Sequence, residues 1–206
     1  MNDGGTAQAG YRRSAGSPRG EARRRELLAL VTEDLAVNGL VDFSLRRAAR
    51  AAGTTHKVIL YHFDGAEDLL RQAVFELRGR RIDNAMAAAL APEHRTLAAR
   101  VQAAWEVLRD EDPALRQVLD QAIGLAMYDP GRYGELGREA SPQYLPWLVE
   151  LCPKQWPQER KVEVAQMILA TLRGFVVDRV TTGDTERIAA GARALIRAME
   201  REESAG

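Results

Sequence analysis

What most narrows the fold of this chain is its hydrophobic spacing: the helical repeat runs from Glu21 nearly to the end, and no stretch of strict alternation interrupts it. Apolar residues at i, i+3, i+4 and i+7 line one side of a helix, whereas a half-buried strand alternates with period two. Leu27, Leu30, Val31 and Leu35 share a face that Asn38-Gly39 terminates. A helix after Ser44 runs through Ala48, Ala49 and Ala52 to Gly53. Thr54 or Thr55 caps a third, ending near Phe63, and a longer one starts at Asp64-Gly65 and continues to about Ala89. Beyond Ala91-Pro92, Thr96 caps a helix through Trp105, and Asp112-Pro113 opens another through Ile123. Glycines and prolines break 129–157 into short helices near 132–138 and 143–151, and long helices over 158–180 and 185–202 close the chain. The expectation is an all-α protein, three short helices followed by a larger helical bundle, with no internal repeat.

Charge divides the chain unevenly. It carries 29 basic and 29 acidic residues among 206, yet residues 1–63 hold ten Lys/Arg against six Asp/Glu. A basic beginning joined to a mildly acidic remainder suggests an anion-binding end. Residues 1–20 are rich in Gly, Ala, Ser and Arg without apolar periodicity and read as a disordered basic arm. The remainder divides into a helix-turn-helix domain over 21–64 and a larger helical domain over 65–206. Cys152 is the only cysteine, which excludes an intrachain disulfide, and no Cys/His pair has zinc spacing. No run of about twenty apolar residues exists to cross a bilayer, and no apolar stretch follows the N-terminal arginines as in a secretory signal. The sequence therefore reads as cytoplasmic, without metal, cofactor, membrane partner or catalytic residue.

The segment 44–63, SLRRAARAAGTTHKVILYHF, carries Arg46, Arg47, Arg50 and Lys57 and no acidic residue. Gly53 supplies a tight turn between two short helices, Ala49 is small enough for them to cross closely, and Ile59 can fill the space between. With Ile59 and Phe63 facing inward, His56, Lys57, Leu60 and Tyr61 fall on the outer side. The early residues of an exposed recognition helix meet base edges in the major groove. Thr55, His56 and Lys57 are thus candidates for bases, Ser44, Arg46, Tyr61 and His62 for phosphate oxygens, and Thr54 for a further DNA contact. A solvated helical hairpin is the alternative for such a charge run.

The stretch LLALVTEDLAVNGLVDFSLRRAARAAGTTHKVILYHFDGAEDLL resembles the DNA-binding domain of tetracycline-repressor-like (TetR) regulators. In that family a helix reads like S-x-x-x-x-A-x-x-A-G-V-S, a recognition helix ends L-Y-x-H-F, and S-K-E-x-L-L opens the fourth helix. Ser44, Ala49, Ala52, Gly53, Thr55, His62, Phe63, Glu67, Leu69 and Leu70 match in position or type, and the likeness covers about residues 20–75. Two positions depart. The family tyrosine falls on Leu60, one place before Tyr61, and its lysine falls on Ala66. Tyr61 and the arginines at 12, 13, 19, 23, 24 and 25 stand as replacements for those phosphate contacts.

The resemblance implies a C-terminal ligand-binding and dimerisation core and a near-palindromic DNA operator. Two apolar faces, Ile168, Leu172 and Phe175 on one helix and Ile188, Ala192, Leu195 and Met199 on the last, are the candidate dimer interface. Trp105, Gln121, Met127, Tyr128, Tyr144, Trp147, Met167 and Phe175 are the candidate ligand contacts, for an unknown small apolar or aromatic effector. The implied function is a dimeric, ligand-released transcriptional regulator, most often a repressor. A dimeric DNA-binding protein with no inducer, an all-α enzyme, and a helical interaction module are the alternatives. No carboxylate pair or nucleophile–base arrangement favours the enzyme.

Overall fold

The computed structural model describes residues 17–205, and ten helices form among them. They are α1 (Pro18–Asn38), α2 (Leu45–Ala51), α3 (His56–His62), α4 (Ala66–Ala89), α5 (Leu97–Asp110), α6 (Pro113–Tyr128), α7 (Pro130–Arg138), α8 (Ala140–Leu151), α9 (Gln158–Thr182) and α10 (Thr185–Ser204). No strand is present among the described residues, so the fold is all-α as the periodicity predicts.

Two helix starts differ by three residues for local reasons. α1 begins at Pro18 rather than Glu21, because the Ser17 hydroxyl accepts the Gly20 amide at 3.1 Å and Pro18 sits at the first helical position. The expected arm over 1–20 therefore yields its last three residues to a helix, and residues 1–16 lie outside the described part. α8 starts at Ala140 and contains Pro146. Pro142 falls in its first turn, where amides have no intrahelical acceptor, so periodicity alone placed the start too late.

The helices pack as two compact units. One comprises residues up to 77 together with 113–136, the other 78–112 with the remainder from 137. No single cut of the sequence separates them, since α6 and most of α7 belong with the N-terminal helices. In the first unit, Leu27, Val31 and Leu35 of α1, Ile59 of α3, Leu69, Val74 and Leu77 of α4 and Val118 and Ala122 of α6 form one apolar core. Gln121 braces its α1–α2 turn by accepting the Leu40 amide at 2.9 Å.

In the second unit, α5, α8, α9 and α10 enclose Val101, Trp105, Trp147, Leu148, Ile168, Leu172, Leu195 and Met199. Trp105 meets Phe175 edge-on, ring centres 5.5 Å apart. α10 approaches that ring so closely that a Cβ on Gly191 would lie 2.8 Å from it, which explains a glycine inside a long helix. The Glu203 carboxylate accepts the Leu97 amide at 3.1 Å and so places negative charge at the start of α5. Burial raises the pKa of the buried Cys152 thiol, and its Sγ lies 3.6 Å from the Leu148 carbonyl.

Of the candidate dimer residues, Ile168, Leu172, Ile188, Ala192, Leu195 and Met199 are buried in this unit's own core, and Phe175 is partly buried against it. Within the unit, α8 packs against α9 and α5 against α10. What α9 leaves outside is a different stripe: Met167, Ala170, Gly174 and Val177, all exposed.

Candidate nucleic-acid interface

α2 and α3 form a helix-turn-helix unit whose turn is fixed by backbone chemistry. Thr54 donates to the Ala49 carbonyl at 2.9 Å and Gly53 to the Arg50 carbonyl at 3.1 Å, the paired bonds of a Schellman ending. Gly53 holds φ at 58°, and no atom crowds the place of its Cβ, so the glycine is needed for its conformation and not for space. Ala48 and Ala49 are buried under α3, and Ile59 is wholly enclosed. The Ser44 and Thr55 hydroxyls each accept the amide three residues on, at 3.3 and 3.4 Å. A capping oxygen used as acceptor keeps its own hydrogen to donate outward.

The basic residues separate into braces and surface. Arg47 is a brace: Nε meets Asp34 at 2.8 Å, and its two Nη atoms donate to the Val41 and Gly39 carbonyls at 2.8 Å. It neutralises the last turn of α1, so the one-signed charge of 44–63 is only partly available. Arg24 is another. It donates to the His62 carbonyl at 3.2 Å and to Gln72, and its guanidinium lies 4.9 Å over the Phe63 ring. Arg23 pairs with Glu26 at 2.6 Å. Two of the arginines proposed to reach along DNA are thus already engaged on α1.

Arg46, Arg50, His56 and Lys57 remain exposed, with no ion pair among the described residues. Ser44, Arg46 and His56 come together in a recess of about 550 Å³ that Arg132 also lines. Three of the eight candidate DNA residues therefore share one depression, where the Arg46 guanidinium is unpaired among the described residues and Arg132 is paired with Glu67 at 2.6 Å. Arg132 comes from α7, far along the chain, and nothing local in the sequence points to it. Lys57 and Thr55 are exposed at the start of α3, Thr54 is partly covered, and Leu60 beyond them is 48 % exposed.

Tyr61 and His62 have a different environment. Their rings meet edge-on at 4.8 Å, and the buried His62 Nδ1 lacks a hydrogen-bond partner among the described residues. Burial first, then the charges of Arg23 and Arg24, lower the His62 pKa from its ordinary 6.5. The ring is neutral at pH 7 and brings no cation to a phosphate. Because the folded ring binds its proton less readily than the unfolded chain, its contribution to stability is complete above about pH 6.5 and is lost as pH falls through the lowered folded value. Thermal melts from pH 7.5 to 5 will fall more steeply for the wild type than for His62→Gln. Parallel slopes would place the destabilising protonation elsewhere.

The eight ligand candidates do not meet in one place. Trp105, Tyr144, Trp147, Met167 and Phe175 belong to the second unit, where Tyr144 hydrogen-bonds Arg81 and Met167 lies on the outer side of α9. Gln121, Met127 and Tyr128 belong to the first. Met127 and Tyr128 are 78 % and 87 % exposed, so neither stands in an apolar core pocket. Among the described residues no group of three or more His, Cys, Asp or Glu could hold a metal ion, and no helix is long and apolar enough to cross a membrane.

No protein-family model and no curated protein matches the chain. Solved structures do. A TetR-family transcriptional regulator from Cytophaga hutchinsonii superposes with a TM-score of 0.66 at 16 % identity, covering 86 % of this chain and 92 % of that one. The multidrug binding protein EbrR, in complex with proflavin, gives 0.66 at 17 % identity over 85 % and 98 %. A transcriptional regulator from Rhodococcus sp. Rha1 gives 0.63 at 19 % identity over 87 % and 96 %. At such identities the likeness is one of architecture, and it extends over more than nine-tenths of those proteins. This chain shares its all-α fold with these proteins, the TetR-family regulator from Cytophaga hutchinsonii among them.

Proposed function

We propose that this protein is a TetR-type transcriptional regulator that binds a near-palindromic operator as a homodimer and is released from it by a small molecule. The observation that carries the reading is the helix-turn-helix unit, with its Schellman turn, presenting Arg46, Arg50, His56 and Lys57 outward with no carboxylate beside them. In this reading Thr54, Thr55, His56 and Lys57 approach bases. Ser44, Arg46, Tyr61 and the recess shared with Arg132 hold phosphates, and His62 positions them without charge. Residues 1–20, with Arg12 and Arg13, add a basic arm, 21–64 read DNA, and 65–206 carry effector binding and dimerisation in the cytoplasm.

The exposed stripe on α9, not the buried faces of α9 and α10, is the surface on which a second copy would pack. Its small residues Ala170 and Gly174 allow close helix approach, with Met167 and Val177 beside them. That EbrR was solved with proflavin supports a small aromatic effector here. Trp105, Phe175 and Trp147 are the aromatic residues of the second unit that could face it. The absence of an inducer would leave a dimeric DNA-binding protein of the same geometry.

Binding to a fragment from the protein's own upstream region, measured by anisotropy against random duplex over a salt series, tests the reading. Specific affinity must exceed random affinity, and both must fall steeply with salt. Lys57→Ala will cost about 1–3 kcal/mol on the specific site and far less on random DNA, as expected for a base contact. Arg50→Ala will weaken both equally and lower the salt slope by about one. Equal losses for Lys57→Ala would make it a phosphate contact, and salt-independent binding would remove the DNA reading.

A further inference from the structure

Within the first unit, the α1–α2 turn, the start of α4 and the corner between α6 and α7 line a groove of about 600 Å³. That is the size of a small-molecule site. Its walls are mostly apolar: Leu40 and Phe43 from the turn, Leu70 from α4, Leu125 and Tyr128 from α6, and Tyr133 from α7. Tyr128, 87 % exposed, lines this groove.

The polar groups have one sign in excess. Asp42 and Glu67 face a single cation, Arg132. That cation is already engaged twice, with Glu67 at 2.6 Å and over the Tyr133 ring at 4.9 Å. The Arg132 contact holds the Glu67 carboxyl below its ordinary range, so it stays ionised. Asp42 has no hydrogen-bond or ion-pair partner among the described residues and holds φ at 59°, a left-handed conformation seen in few residues other than glycine. The chain's own guanidinium, set between a carboxylate and an aromatic face, displays the contact the groove offers to a cation. Gln121 spends Oε1 on the Leu40 amide, which fixes the wall carrying Asp42 and Phe43.

We propose that this groove binds a small organic cation with an aromatic body, its charge at Asp42 and its rings against Phe43, Tyr128 and Tyr133. An anion would face an uncompensated carboxylate. A neutral ring system would use the walls and leave Asp42 unpaired. The turn carrying Asp42 and Phe43 runs directly into Ser44, the cap of α2, so an occupant fixes the entry of the helix-turn-helix unit. That coupling rests on the DNA-binding reading; the binding itself does not.

Calorimetry on the full chain with 1-naphthylmethylamine, 1-naphthalenemethanol and 1-naphthaleneacetate varies the charge on one aromatic body. The amine is expected to bind about three- to fivefold tighter than the alcohol, in line with one exposed ion pair, and the acetate to bind weakest of the three. Asp42→Asn, which tolerates the same backbone conformation, should bring the amine down to the alcohol, and Tyr128→Ala should weaken both. Equal binding of all three probes, or an undiminished preference for the amine in Asp42→Asn, overturns the site. In a parallel titration the amine should shift operator affinity in the wild type and not in Asp42→Asn. Unchanged operator affinity with the binding preference intact would retain the site and remove its coupling. Failure to bind any DNA would remove the regulator reading and leave the site standing.

Discussion

Met199→Glu is expected to unfold the second unit rather than to dissociate a dimer. The Met199 side chain is 0 % exposed and sits among Leu97, Leu148, Ile168 and Leu195 in one apolar core. Removing a buried methionine costs about 2–5 kcal/mol by lost burial and cavity formation. A carboxylate in its place must also be desolvated without a partner, or take up a proton to avoid it, which adds several kcal/mol more. The sum is of the order of a whole domain's stability, about 5–15 kcal/mol. Circular dichroism of the purified variant should show loss of helix or a strongly lowered melting point, with aggregation in sedimentation. The contrasting variant is Ala170→Glu with Val177→Glu on the exposed stripe of α9, which should keep the helix signal and the melting cooperativity while sedimenting as a monomer. A folded, monomeric Met199→Glu would return the interface to the last helix. A folded dimer carrying both α9 substitutions would remove that stripe as the packing surface.

The buried faces of α9 and α10 illustrate how far the sequence could be read. Periodicity located both helices within a few residues and identified their apolar sides correctly. What it could not supply is which neighbour covers an apolar side, because a stripe facing the chain's own core and one facing a second copy have the same composition. The stripe at Met167, Ala170, Gly174 and Val177 has helical spacing too, but its small residues make it a weaker apolar signal than the Ile168, Leu172 and Phe175 face beside it. The helix-turn-helix was legible because its determinants are local: Ser44 and Thr55 as caps, Gly53 at positive φ, Ala49 at the crossing. The intramolecular engagement of Arg47 and Arg24 was not legible, because their partners, Asp34 and the Phe63 ring, lie elsewhere in the sequence. The groove beside Asp42 draws on three separated stretches of the chain, and of its lining only Gln121 and Tyr128 stand out in the sequence as candidate ligand contacts.

Glu111→Ala should destabilise the protein by about 3–5 kcal/mol, the usual consequence of leaving one member of a buried ion pair alone. Arg81 of α4 reaches Glu111, just past the end of α5, through Nε at 2.8 Å and Nη2 at 2.5 Å, and the two side chains are only 10 % and 7 % exposed. Burial opposes the charge on Arg81, but the Tyr144 and Glu111 side chains outweigh it and raise the Arg81 pKa, so the guanidinium stays charged in every accessible condition. Deleting the carboxylate leaves Tyr144 as its remaining named partner, which cannot balance a full charge in a poorly hydrated place. For a chain of this length the loss corresponds to a fall in melting temperature on the order of 10 °C. Replacing both partners with apolar residues of similar size, Arg81→Met with Glu111→Leu, removes the desolvation cost along with the attraction and should recover most of the stability. The two results separate what the pair contributes from what breaking it costs. If Glu111→Ala melts within a degree or two of the wild type, water reaches Arg81 readily and the pair belongs to the surface. If the double variant is as unstable as the single one, the hydrogen bonds of Arg81, including that to Tyr144, hold α4 in place by geometry that methionine cannot reproduce, and Tyr144→Phe should then destabilise by a comparable amount.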